Sequence, residues 1–180
     1  SQLIGGIVIT NREDLANKLR FAQKTIGAVP SPIDCWLTLL GVKTLDVRMK
    51  KHEENALIVA EFLENHSKVS SLTYPGLPSH PMHHVAKEQM SGFSGMISLE
   101  LKGGISAGKK FLNSVKLALL AESLGSVETM VLHPASMTHG DVPKEYRLSH
   151  GLSDGLVRIS VGIENVDDII NDFKQALDKI

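Results

Sequence analysis

Apolar positions along this chain follow two rhythms. Ile7-Val8-Ile9 is an unbroken β-branched run and predicts a strand covered on both faces. From Leu15 the apolar residues recur at helical spacing, through Leu19, Ala22 and Ile26, until Gly27 closes the pattern. Asn11 is the expected N-cap of that helix, with Glu13 and Asp14 at its positive end. Pro30 and Pro32 stiffen a connector, and a short helix over residues 33–40 is expected to stop at Gly41. A long amphipathic helix follows, from Thr44 to about His66, with Leu45, Met49, His52, Ala56, Val59 and Leu63 as its stripe.

After that helix the texture changes. Short β-like segments over 69–74, 96–101, 117–121 and 156–161 alternate with helical ones over 81–90, 105–114 and 166–180. The last helix is the clearest, because Val166, Ile169, Ile170, Phe173, Ala176, Leu177 and Ile180 share one face. Asn165 caps it, and Asp167 and Asp168 occupy its first turn. The alternation sets the class as α/β or α+β, with strand order unreadable from periodicity. The expected division is 1–48, a remnant of one α/β domain, and 49–180, a compact α/β domain, linked by the long helix.

Composition narrows the function classes. The chain has 180 residues, 42% hydrophobic and 22% charged, with a formal net charge of −1. That balance argues against an electrostatic nucleic-acid binder and against a disordered tail. Apolar runs are too short to span a membrane. Cys35 is the only cysteine, so no intrachain disulfide and no CxxC zinc site can form. It reads as a buried helix residue, and the expected compartment is cytoplasmic.

Arg158 is the most informative single residue. In Leu156-Val157-Arg158-Ile159-Ser160-Val161, the alternation puts Val157, Ile159 and Val161 on one face and Arg158 with Ser160 on the other. A guanidinium in so apolar a strand needs an anion, either an internal carboxylate or a ligand carboxylate held by its fork of donors. Glu122-Ser123-Leu124-Gly125-Ser126 follows a predicted strand, where open sheets place ligands and where plain turns also occur. His133-Pro134-Ala135-Ser136-Met137-Thr138-His139 gathers imidazoles and hydroxyls without metal-ligand spacing. His80, His83 and His84 have spacing a metal could use, but capping or surface roles are commoner at the start of an amphipathic segment. No GxGxxG, Walker lysine, HExxH or GxSxG motif is present.

Several ordered blocks together resemble one family. They are residues 27–35 (GAVPSPIDC), 74–81 (YPGLPSHP), 90–96 (MSGFSGM), 121–125 (AESLG), 133–139 (HPASMTH) and 155–164 (GLVRISVGIE). In this order the chain resembles the C-terminal part of the pyridoxal-phosphate enzymes of cysteine and methionine metabolism, nearest to cystathionine γ-lyase and γ-synthase. The resemblance implies the end of a large aspartate-aminotransferase-like cofactor domain followed by a small C-terminal domain. It implies pyridoxal 5'-phosphate as cofactor, and γ-elimination or γ-replacement on a small sulfur amino acid of the cystathionine type. It also implies a cytoplasmic homotetramer with neither nucleic acid nor membrane as partner.

Residue by residue, Arg158 matches the arginine that grips the substrate α-carboxylate. Ser123 matches the serine beside the substrate and the catalytic lysine, with a possible cofactor contact. Thr138 falls near the substrate end of the site, and Glu122 lines the distal pocket in the γ-lyase branch. Leu124 stands where β-lyase relatives tend to carry Trp, which points away from that branch. Ser1 matches the end of the Schiff-base lysine motif, which places the catalytic lysine upstream and leaves no catalytic residue and no metal ligand to assign here. Lys116 comes nearest among the lysines present but lacks the motif's surroundings. The chain is therefore expected to be one portion of a longer enzyme, with the missing N-terminal part as its partner, and inactive alone. The alternative is a truncated, non-catalytic module that oligomerises or binds amino-acid carboxylates.

Overall fold

The computed structural model describes residues 3–180, so the reading attached to Ser1 lies outside the described residues. Two compact units divide the chain, the first ending at Asp46 and the second running from Val47 to Ile180.

The first unit holds helices α1 (Glu13–Ile26) and α2 (Pro32–Lys43). α1 ends as expected, with Gly27 in the left-handed region at φ 76° and its N–H returned to the Gln23 carbonyl. Its N-cap is Arg12 and not Asn11. The Arg12 guanidinium instead reaches forward to Asp14, with Nη2 2.7 Å from Oδ2. α2 is one turn longer than the pattern predicted and passes through Gly41 to end at Thr44. It starts on a capping box, in which the Ser31 hydroxyl accepts from Asp34 N and the Asp34 carboxylate accepts from Ser31 N. Residues 7–9 are not a strand. A strand exists only through a hydrogen-bonded neighbour, and Ile7, Val8 and Ile9 find none and stand largely exposed. Between residues 6–10 and the apolar side of α1 lies a cavity of about 730 Å³, lined by Val8, Leu19, Ala22 and Ile26 among others. Cys35 is exposed, contrary to the buried position expected. α2 is apolar on nearly every side, yet none of its residues is buried.

The second unit is built on a five-stranded mixed sheet. Its strands are β1 (Val69–Thr73), β2 (Met96–Leu101), β3 (Leu119–Leu120), β4 (Met130–Leu132) and β5 (Leu156–Ser160). They lie in the order β1-β2-β5-β4-β3, antiparallel throughout except for the parallel β3–β4 pair. β5 therefore lies in the middle, with Ile159 opposite both Ile97 and Val131. Helix α3 (Leu45–Glu64) leads into this unit; α4 (His83–Gln89), α5 (Gly104–Leu112), α6 (Lys144–Ser149) and α7 (Val166–Leu177) complete it. Two of these elements, β4 and α6, were not predicted; β4 has three residues, too few to display a period.

Register decides which side of the sheet is core. Ile97, Leu99, Val131, Val157 and Ile159 share one cluster with Ala56, Val59 and Leu63 of α3, Phe111 of α5, and Ile169, Phe173 and Leu177 of α7. Phe111 and Phe173 meet with ring centroids 5.7 Å apart. Each is fully buried, a contribution of about 1.5–3 kcal/mol. α7 carries its predicted apolar face and its predicted cap, the Asn165 side chain accepting from Asp167 N at 2.8 Å. The α3 stripe is buried from His52 onward, while Leu45 and Met49 stay exposed. His52 is held by polar contact as well, its Nδ1 lying 2.6 Å from the Val161 carbonyl.

The opposite side of the sheet, carrying Ser98, Glu100, Arg158 and Ser160, is excluded from that cluster. The core helices lie against one face; on the other, buried Met130 and Leu132 stand beside these polar residues.

Candidate functional site

Arg158 stands where the alternation put it, on β5 facing away from the helices, half-buried beside Ser98 and Leu132. Its Nη2 donates to the backbone carbonyl of Ser123 at 3.0 Å. No ion pair joins it to an Asp or Glu among the described residues. The internal-carboxylate reading therefore has no partner here, and a carbonyl dipole occupies only part of the guanidinium fork.

Ser123 belongs to the loop between β3 and β4. That loop runs alongside the end of β5 and is fastened at successive points. Gly125 N donates to the Ser160 hydroxyl at 2.9 Å, and Ile163 N donates to the Val127 carbonyl at 2.8 Å. Thr129 closes the series: its hydroxyl donates to Glu164 Oε2 at 2.8 Å and accepts from Gly162 N at 2.8 Å. Asn55 of α3 secures the same turn from behind, donating to the carbonyls of Gly162 and Glu164 at 3.0 and 2.8 Å. The loop holding Ser123 is thus tied to β5 and the turn after it, with β5 itself fixed by the core.

Of the four residues singled out from the sequence, the structure joins two directly, Arg158 and Ser123. Glu122 is exposed on the same loop. Thr138 is exposed beyond the 3₁₀ turn Pro134–Ser136, its hydroxyl 2.9 Å from His139 Nδ1. No hydrogen bond among those described brings Glu122 or Thr138 to Arg158.

The histidines resolve into structural roles. His133 is fully buried, with Nδ1 2.8 Å from the Ser136 hydroxyl and Nε2 3.0 Å from the Asp154 carbonyl. A carbonyl only accepts, so Nε2 carries the proton. His80 caps its own turn by accepting from Met82 N, and His83 Nδ1 meets the Pro75 carbonyl at 2.7 Å. Among the described residues no cluster of His, Cys, Asp or Glu is arranged to hold a metal ion. Among those residues also, no helix is long and apolar enough to cross a membrane.

Sequence reasoning missed an ion cluster that secures the approach to β5. Asp154 lies 3.0 Å from Arg147 Nη1 and 2.6 Å from Lys144 Nζ. Lys144, with Arg147 behind it, holds the Asp154 carboxyl below the usual carboxylate range. Arg147 is itself buried. Its pattern signal was weak, because charged residues on a six-residue helix read as surface. Asp172 was missed as well. From inside α7 it accepts the backbone N–H groups of Lys116, Leu117 and Ala118 at 2.7–2.9 Å, setting where β3 begins.

The donor set on the open face of the sheet fits an amino-acid α-carboxylate: a cation with free N–H groups beside a serine. It does not by itself form a cradle for a phosphorylated cofactor. Lys116, the nearest match to a cofactor lysine, is committed through its backbone to Asp172 at the head of β3.

Comparison with known proteins gives this geometry its context. The family described as Cys/Met metabolism PLP-dependent enzyme matches residues 1–178. A cystathionine gamma-lyase from Dictyostelium discoideum is 51% identical over 179 residues, covering 99% of this chain and 46% of the relative. An L-methionine gamma-lyase from Fusobacterium nucleatum subsp. polymorphum is 52% identical over 180 residues, covering 99% of this chain and 45% of the relative. A cystathionine beta-lyase from Lactococcus lactis subsp. cremoris is 49% identical over 179 residues, covering 99% and 47%. The chain thus spans about half the length of the curated relatives it matches. All three printed activities are lyases, and identity does not separate the γ-lyases from the β-lyase.

Proposed function

Since the chain belongs to the Cys/Met metabolism PLP-dependent enzyme family, whose cofactor is pyridoxal phosphate, we propose that it forms the substrate-side portion of a lyase acting on sulfur amino acids. In this reading residues 49–180 are the small domain and 1–48 close the cofactor domain. The reaction is elimination at the γ-carbon of a cystathionine-type or methionine-type substrate. The named relatives support the reaction class. The single observation that carries the reading for this chain is Arg158, a half-buried cation with a carbonyl partner and no carboxylate among the described residues.

Arg158 would bind the α-carboxylate with the N–H groups that Ser123 leaves free, a bidentate geometry that fixes orientation as well as position. The Ser123 carbonyl is occupied by Arg158, so its hydroxyl remains to orient the carboxylate or an approaching amine. Glu122, exposed on the same loop, is proposed to line the distal end of the pocket, and Thr138 its substrate end. Bound pyridoxal phosphate supplies an electron sink for the electrons released when substrate protons leave. The chain's own residues supply placement, which in such reactions sets which proton is within reach.

Assembly as a cytoplasmic homotetramer belongs to the same proposal. Helix α2 favours further packing, since Ile33, Trp36, Leu39 and Val42 all stand exposed and a helix apolar on all sides is ordinarily covered. The 180-residue chain alone is proposed to be inactive, because none of its lysines has the surroundings of the family's cofactor lysine.

The test is to load the intact protein carrying this sequence with pyridoxal phosphate and supply L-cystathionine or L-methionine. Formation of a keto acid and a thiol is the expected result. Neither product from either substrate overturns the reading.

A further inference from the structure

Ser160 is 3% exposed, although it sits on the side of β5 that the helices do not cover. It lies between Met96 and Met130 of the neighbouring strands, and the β3–β4 loop reaches it there by a specific contact: Gly125 N donates to Ser160 Oγ at 2.9 Å. Two residues earlier on both segments, Arg158 Nη2 donates to the Ser123 carbonyl. The two bonds are rungs of one ladder, made by alternate side chains of β5 against alternate backbone groups of the loop. Gly125 adopts φ 76°, and a Cβ built on it would meet nothing within 4 Å. The left-handed conformation, and not lack of space, is what favours glycine there.

We propose that Ser160 is a positioning residue, holding the loop through Gly125 so that Ser123 keeps its place against the Arg158 guanidinium. This rests on the carboxylate-binding reading of Arg158 and Ser123, and adds to it a residue that touches no substrate.

The physical consequence separates positioning from stability. Ser160→Ala removes the acceptor and leaves a small apolar side chain in a buried position, so the core loses no packing and the fold loses one hydrogen bond. Gly125 belongs to an exposed stretch, so its freed N–H can turn to water. The cost is a loosened loop, and it falls on ligand placement.

The test uses the cofactor-loaded protein and two readouts, exchange of the Gly125 amide and steady-state kinetics with L-cystathionine. Ser160→Ala is expected to speed Gly125 exchange about tenfold, the ordinary worth of one hydrogen bond. KM should rise by a similar factor, with kcat held and the denaturation midpoint lowered by no more than the loss of one hydrogen bond accounts for. Unchanged exchange, or faster exchange with unchanged KM, overturns the proposal. If Ser160→Ala does not fold, Ser160→Cys, which keeps the size of the side chain but accepts only weakly, carries the comparison; raised KM at constant kcat supports the proposal, and normal KM overturns it. An unmodified protein that turns over no sulfur amino acid would instead sink the lyase reading. In that case Gly125 exchange, together with the affinity for L-cystathionine by calorimetry, decides the role of Ser160.

Discussion

The Arg158 guanidinium donates to the Ser123 carbonyl across 3.0 Å, joining two residues that lie 35 positions apart in the chain. The bond consumes one donor of the fork and a backbone oxygen of the serine. Neither the serine hydroxyl nor the rest of the guanidinium makes another hydrogen bond among those described.

Arg158→Ala in the intact protein should therefore damage substrate affinity before it damages the fold. Loss of a charge-assisted pair typically costs about 2–5 kcal/mol of binding, whereas the bond to Ser123 is worth about 1 kcal/mol to stability. Steady-state KM and a urea midpoint measured on the same preparation separate the two. A variant that unfolds, or that binds substrate normally, would make Arg158 a loop fastener and nothing more.

Asp172 should matter to stability far more than its surface helix suggests. Its carboxylate serves three consecutive backbone donors ahead of β3. Asp172→Ala strands those N–H groups and should cost of order 3 kcal/mol by urea denaturation. Asp172→Asn keeps one acceptor oxygen and should cost less.

Acid should weaken the second unit through Asp154. Lys144 and Arg147 depress its carboxyl below the ordinary 3.8, so the unfolded chain binds the proton first as pH falls. The stabilisation is present above that ordinary value and is lost as pH drops through the lower, folded one. Asp154→Asn should flatten the acid limb of stability against pH, followed by circular dichroism. Salt should weaken the share of Lys144, whose side chain is 61% exposed, more than that of Arg147 at 6%.

Gly108→Ala probes the buried imidazole of His133. A Cβ at residue 108 would fall 2.5 Å from His133 Cδ2 and 2.6 Å from Nε2. The ring is held on both sides, by Ser136 and by the Asp154 carbonyl, and has little room to retreat. Overpacking of this kind costs about 1–3 kcal/mol, and thermal denaturation of the variant would read it. An unchanged midpoint would mean that the ring or α5 can move.

Features governed by near neighbours were legible along the chain: the apolar face and Asn165 cap of α7, the Gly27 stop of α1, and the limits of β2. Each depends on residues within a turn or a strand, where periodicity and capping act directly. The alternation around Arg158 was local too, and it told correctly which side of β5 carried the charge. Which group met that charge was not local, and neither was the Gly125–Ser160 contact, because both require the β3–β4 loop to return across many residues. The strand expected at residues 7–9 fails for the same reason in reverse. Its residues have the right character, but a strand is defined by a neighbour's hydrogen bonds, and none is present among the described residues. β4 was invisible because three apolar residues carry no period, and only pairing with β3 and β5 makes them a strand. Short-range pattern determined the elements, and long-range pairing, which depends on the whole chain closing on itself, decided the site.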